Sequence, residues 1–307
     1  VTSTAGPLDR RSVAFPGGAA LVGDDGTWVL ADAEPARALG PALAVARRAG
    51  ADGPVHLVVE DAAGLLVRRA SQFASPPTIW FVVGTGLEQV TEPEPLPVVP
   101  ALDPRVAPFA DVLAAAGADP VVEHGRLIGE VDGLEVARVV VDADGAHLEV
   151  GVGRFDREAH ALVSGDRPSA DTLAEVVDYV RRYRVRGGDV HPLLGLAADR
   201  WLRARLLHDP SLVGADHLAP MAPVVEAPDL RTPWPAPATG VDRAGNPVVV
   251  VASVGVDLDL VPAAADARLA DGREARLVLA VATKDAHPVT QALATALKHP
   301  AELVTVD

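Results

Sequence analysis

Apolar residues along this chain recur in two periods, and the switch between them happens twice in the same order. Near the start, Ser12–Val22 and Thr27–Ala31 are extended apolar runs either side of Gly23-Asp24-Asp25-Gly26, a hairpin signal. The spacing then turns helical over Glu34–Ala49, with Asp32 placed to cap and Gly50 beyond the end. Val55–Glu60, Ala62–Phe73 and Thr78–Val83 follow as strand, helix and strand. Residues 248–307 return to this order: Val248–Ser253, Leu258–Leu269, Ala275–Ala282, Val289–Leu297 and Glu302–Val306 read as strand, helix, strand, helix, strand. Element order and lengths match between His56–Gly84 and Arg276–Val306, while residue identity is low. Two equivalent halves and two unrelated βαβ units both fit that pattern.

Between these stretches the pattern predicts a helix at Val106–Ala116. Strands follow at Val121–Val131, Leu134–Val141 and His147–Arg154, the last two separated by the turn Asp142-Ala143-Asp144-Gly145. Helices are expected at Ala170–Arg186, with Leu173, Val176, Val177 and Val180 at helical spacing and Ser169 as cap, and at Leu193–His208. Two proline-rich stretches punctuate the chain. Thr91–Pro104 reads as a linker, and Asp209–Pro247, with Pro233-Trp234-Pro235, as a segment that wraps a surface or forms a lid. The expected fold class is α/β, with N- and C-terminal β-α-β-α-β units around a central antiparallel β-meander with helices. The expected division is 11–90, a linker at 91–104, the meander and helices at 105–208, the wrapping segment at 209–247, and 248–307.

Composition narrows the chemistry. Aromatics make up 4% of 307 residues, so Val, Leu and Ala must fill the core. The 42 acidic side chains outnumber 27 basic ones for a formal charge of −15, which repels phosphate backbones and anionic lipid, so nucleic acid is an unlikely partner. With no cysteine, disulfides, thiolate zinc sites, iron–sulfur clusters and cysteine nucleophiles are excluded. Val1–Arg11 is polar and the longest apolar run, Val248–Val256, is too short for a membrane span, so a cytoplasmic place without membrane contact is expected.

Familiar motifs fail individually. Neither lysine, Lys284 or Lys298, follows a glycine as in a phosphate-binding loop. Gly84-Thr85-Gly86 lacks the third glycine of a dinucleotide fingerprint. Ser253 and Gly255 form half of a nucleophile elbow, with Val251 where the other glycine belongs. The nine histidines show no metal spacing, and no cofactor or metal is expected.

Two clusters are candidate sites. Ligands of open parallel sheets bind beyond the carboxyl ends of strands, and there the C-terminal unit places Ser253, Asp257, Asp259, Thr283, Lys284, Asp285 and His287. Such a set suits a small polar ligand or an oxygen- and imidazole-bound metal. The structural alternative has Asp257 and Asp285 capping helices, with His287-Pro288 at a helix start. The second cluster is Glu149, Arg154, Asp156, Glu158 and His160, beside alternating Gly151 and Gly153 that leave room for close approach. Its alternative is a solvated strand face. Residues 105–254, in the order helix, three strands, helix, strand, resemble the PD-(D/E)XK nuclease core. Val150–Arg154 stands where that family carries Glu-x-Lys, but glycines occupy both chemical positions and no lysine is near, so the resemblance implies a degenerate core without activity. The preferred expectation is a non-catalytic protein that binds a small polar ligand or a protein partner, with Trp201 and Trp234 as possible anchors. The alternatives are a hydrolase, with or without a metal, at the strand-end loops, and the degenerate nuclease-like core.

Overall fold

The computed structural model describes residues 10–50, 53–153, 156–157, 170–185, 187 and 191–307. A first sheet holds six strands in chain order: β1 (Arg11–Phe15), β2 (Gly18–Gly23), β3 (Gly26–Ala31), β4 (Val55–Val59), β5 (Thr78–Val83) and β6 (Gly86–Val90). Strands β3, β4 and β5 are parallel, and β1, β2 and β6 extend the sheet with antiparallel pairs. The run Ser12–Val22 is not one strand, because Pro16-Gly17 turns it into a β1–β2 hairpin with Gly17 at φ +90. The Gly84-Thr85 pair likewise turns β5 into β6. The crossover helices α1 (Leu39–Arg48) and α2 (Ala63–Ala70) bury Leu39, Ala42 and Leu66 against Val29, Leu57 and Ile79, all on one face. A short 3-10 turn, Pro35–Arg37, delays α1, and Ala38 rather than Asp32 stands at its N-cap.

The central part begins with α3 (Pro108–Ala115) and continues as a four-stranded antiparallel meander, β7 (Asp119–Glu123), β8 (Arg126–Val131), β9 (Leu134–Asp142) and β10 (Gly145–Val150). Val121–Val131 is two strands rather than the one its apolar pattern predicts. His124 (φ 50) and Gly125 (φ 73) make a two-residue turn between β7 and β8, and a histidine in left-handed backbone gives no turn signal. Helices α4 (Ala170–Tyr183) and α5 (Ala198–His208) follow. Leu113 of α3 and Leu173, Val177 and Val180 of α4 cover one face of the meander, packing on Leu127, Leu134 and Leu148. The opposite face carries Glu123, Glu130, Glu135 and Arg138.

The third sheet has the order β11 (His217–Pro220), β12 (Ala236–Val241), β13 (Pro247–Ser253), β14 (Arg276–Val281) and β15 (Glu302–Thr305). Its first two strands come out of Asp209–Pro247, so that stretch is only partly irregular. Prolines at 220 and 237 disguise both strands in the sequence. Strands β13, β14 and β15 are parallel, and α6 (Leu260–Asp271) and α7 (Pro288–Thr295) make the crossovers.

Strands β1–β5 of the first sheet and the whole third sheet share one topology, three antiparallel strands and then two parallel ones reached through helices, and β6 is an addition to the first. Both turn their helical faces inward, so α1, α2, α6 and α7 are sandwiched in one apolar core containing Val29, Leu57, Val251 and Leu279. A local two-fold relates them. Phe73, after α2, bridges Leu297, after α7; the Ala74 N–H donates to the Ala296 carbonyl (3.0 Å) and the Lys298 N–H to the Gln72 carbonyl (2.9 Å). Near this axis Arg68 grips Asp266 through Nε (2.8 Å) and Nη2 (3.1 Å), and Arg69 reaches Asp266 at 3.3 Å and Asp259 at 3.1 Å. The outward face of the third sheet is covered by α5, which sets Leu202 and Leu206 on Val248, Val250, Val278 and Ala280. No helix among the described residues is long and apolar enough to cross a membrane.

Candidate functional site

The strand-end loops of the third sheet gather much of the first predicted cluster, and use its polar atoms internally. Ser253 closes β13 and is fully buried, its Oγ without a hydrogen-bond partner. Just beyond it, the Val254 N–H donates to Asp199 (2.8 Å) and the Gly255 N–H to Asp285 (2.8 Å), which ties the two loops together. Asp257 accepts the Asp259 N–H (2.9 Å) and pairs with Arg37 (2.8 Å). Asp259 is buried between Arg69 and the more distant Arg37; burial pushes its carboxyl up to about 7 against the pull of Arg69. His287 caps α7 by accepting the Val289 N–H on Nδ1 (3.2 Å). Thr283 bonds the Asp307 carboxylate, and Lys284 stands exposed. Arg37 lies in the β3–α1 loop, the counterpart of the loop that carries Asp257. Between these equivalent loops is a cavity of about 400 Å³, bordered by Phe15, Arg37, Pro41, Asp257 and Asp259.

Of the second cluster, Arg154, Glu158 and His160 lie outside the described residues, as does Ser169. Glu149 faces Arg157 at 3.7 Å, and Asp156 accepts the Val152 N–H (2.7 Å). Gly151, at φ +138, donates to the Val136 carbonyl; a Cβ there would sit 2.8 Å from the Arg157 nitrogen, so no ligand space opens at this glycine. Nor is there a gap between α3 and the sheet at Gly129, where an added Cβ would meet Leu113 at 2.6 Å.

A further recess lies on the charged face of the meander. A cleft of about 720 Å³ is bounded by that face, by α5 and by residues 221–235, and its lining includes Arg126, Arg138, Arg157 and Arg200. Its foundation is a buried tetrad. Arg203 bonds Glu123 (2.8 Å) and Glu130 (2.9 Å), while Arg200 bonds Glu130 (2.7 Å) and Glu123. Burial works against the charge on Glu123, but Arg203 and Arg200 outweigh it and hold the carboxyl below its ordinary value. Above the tetrad, Arg138 (2.7 Å) and Arg157 (3.1 Å) converge on the single carboxylate of Glu135. Burial draws the Arg157 guanidinium below its ordinary value, and the charge of Arg138 beside it acts in the same direction.

Segment 221–235 forms the facing wall and is held at both ends. Glu226 pairs with Arg126, and Asp229 accepts the Arg231 and Thr232 N–H groups (both 2.7 Å). Trp234 donates its indole N–H to the Val225 carbonyl (2.8 Å) and its backbone N–H to Asp199 (2.9 Å), with the Arg37 guanidinium 4.9 Å over its ring. Asp199 is buried and bonded to backbone donors, and desolvation raises its carboxyl. Trp201, the other predicted anchor, packs under Arg184 at 5.0 Å. The arginines of this cleft carry no sequence motif. For Arg126 and Arg138 the one signal is charge among the apolar residues of β8 and β9, which becomes informative only once the opposite face is known to be covered; Arg157 belongs to the charged run after β10 and Arg200 to α5.

Among the described residues, no three carboxylate or histidine side chains are grouped to hold a metal ion. Comparison with protein-family models, with curated proteins and with solved structures finds no match for this chain.

Proposed function

We propose that this chain is a cytoplasmic, non-catalytic binding protein that holds a small anionic ligand in the cleft between the meander, α5 and segment 221–235. The observation that carries the reading is the convergence of Arg138 and Arg157 on one carboxylate, Glu135, inside a recess of about 720 Å³. Arg138 and Arg157 meet on Glu135, with Glu149 a further 3.7 Å from Arg157, so a carboxylate or phosphate oxygen entering beside Glu135 gains charge-assisted hydrogen bonds from two guanidinium groups at once. The volume suits a metabolite rather than a polymer. The hydrolase alternative has less support, because Asp257, Asp259 and Asp285 already serve the protein's own hydrogen bonds and ion pairs.

A thermal-shift and calorimetric panel of inorganic phosphate, di- and tricarboxylates and nucleotides tests the proposal. At least one should bind saturably with a raised Tm, and Arg157→Gln should weaken it about tenfold or more, in line with loss of a charge-assisted contact. No stabilisation by any anion, or equal binding by the variant, would sink the reading.

A further inference from the structure

The local two-fold places two equivalent sheet faces on the outside of the molecule, and among the described residues a helix covers only one. In register, the Trp28–His56 pair of the first sheet corresponds to Val250–Val278 of the third, and Val58–Trp80 to Ala280–Val304. On the third sheet this face lies under α5, and Val250, Val278 and Ala280 are at most 1% exposed. On the first sheet no helix packs against it among the described residues, and Leu21 and Leu30 are each 44% exposed. No Asp, Glu, Lys or Arg occupies an outward strand position here, in a chain of net charge −15. A contiguous uncharged face of this kind, centred on aromatic rings, marks an interaction site.

What covers the counterpart face indicates the occupant. Helix α5 is apolar at Leu202 and Leu206, one turn apart, and carries Arg200, Arg203 and Arg205 against one acid, Asp199. The open face is flanked at its strand ends by exposed acids, Asp24 in the β2–β3 turn, beside Asp25 that pairs with Arg10, and Glu60 and Asp61 after β4. We propose that the outer face of the first sheet docks a basic amphipathic helix of a partner protein, lying on Trp28, Leu30 and Trp80 as α5 lies on the third sheet. A second copy of this chain is disfavoured, since it would bring two strongly acidic molecules together.

The chain lacks cysteine, so a Leu30→Cys variant of the full chain takes one environment-sensitive fluorophore at the centre of the face. The probe is a peptide of residues 198–213, which supplies the required leucines and arginines. A saturable blue shift is expected, weakened by salt. Binding should be at least tenfold weaker when the peptide carries Leu202→Ser with Leu206→Ser, and when the protein carries Leu21→Glu. Ala19→Glu, also on the exposed face, replaces Leu21→Glu should that variant melt early. The proposal is overturned by no saturable response, or by equal binding to the Glu variants. A concentration-dependent shift without peptide would overturn it in favour of a second copy. A response to phosphatidylglycerol vesicles but not to the peptide would overturn it in favour of a lipid surface.

Discussion

His56 shows how one side chain joins local chemistry to the stability of a surface. Its Nδ1 accepts the Trp80 indole N–H at 3.2 Å, and its ring stacks on Trp28 at 4.2 Å. The hydrogen bond uses the neutral imidazole, whose accepting nitrogen is lost on protonation. Burial lowers its pKa from 6.5, against a smaller opposing effect of Asp25. The sign follows from linkage: below 6.5 the unfolded chain binds the proton first, so stability is complete above that value and declines as pH falls toward the folded pKa. Urea melts at pH 5.5 and 7.5 should therefore show a loss at the lower pH that His56→Phe removes. An equal loss in the variant would assign the dependence to other groups. Asp199 joins elements more than surfaces, since it holds Trp234 and Val254 with one oxygen each and so ties α5 to the cleft wall and to the β13–α6 loop.

Elements in this fold are placed by close backbone approaches as much as by apolar faces. The β8–β9 turn, Asp132-Gly133, runs so near α5 that a Cβ on Gly133 would lie 2.2 Å from the Arg200 carbonyl, in backbone with φ +74. Gly245 has similar backbone, φ +82, with nothing within 4 Å of the same position. Gly133→Ala should thus lose about 1–3 kcal/mol more than Gly245→Ala in denaturant unfolding. Equal losses would mean that α5 yields without cost. Such approaches explain what the sequence conceals. The β-α-β-α-β units were legible because β13 and β14 carry unbroken apolar runs (Val248–Ala252 and Leu277–Val281), β4 is interrupted only at His56, and the helices between the strands keep their period. The hairpin at His124-Gly125 and strands β11 and β12 were not, since a left-handed histidine and in-strand prolines contradict local preference and are tolerated only through tertiary pairing. The strand-end cluster was legible as a place, but its arginine partners Arg37 and Arg69 come from the other half of the molecule. The arginine cleft depended on α5 and residues 221–235 meeting the meander, which no short-range pattern encodes.

At the scale of the whole molecule, the question is what makes two halves, far apart in sequence, fold as one. The shared apolar core supplies most of the attraction, because each sheet buries its helices against those of the other. Apolar contact alone leaves the register of α2 on α6 weakly fixed, as Ala and Leu surfaces can slide. Asp266 removes that freedom. It is fully buried on α6 and receives Arg68 and Arg69 from α2, while Arg68 Nη1 also donates to the Glu94 and Pro95 carbonyls, which pins the proline-rich stretch to the same place. The cluster costs desolvation, so its role is positional, and removing Asp266 takes from buried Arg68 its close carboxylate while Arg69 keeps Asp259. Asp266→Asn should lower unfolding free energy by about 3–5 kcal/mol. The Trp28 and Trp80 environment should be lost together with amide protection in β13 and β14, since both halves depend on the same contact. An unchanged midpoint would remove Asp266 as the lock. A Trp transition separated from the loss of β13 and β14 protection would show that the core, without this ion pair, no longer holds the halves as one cooperative unit.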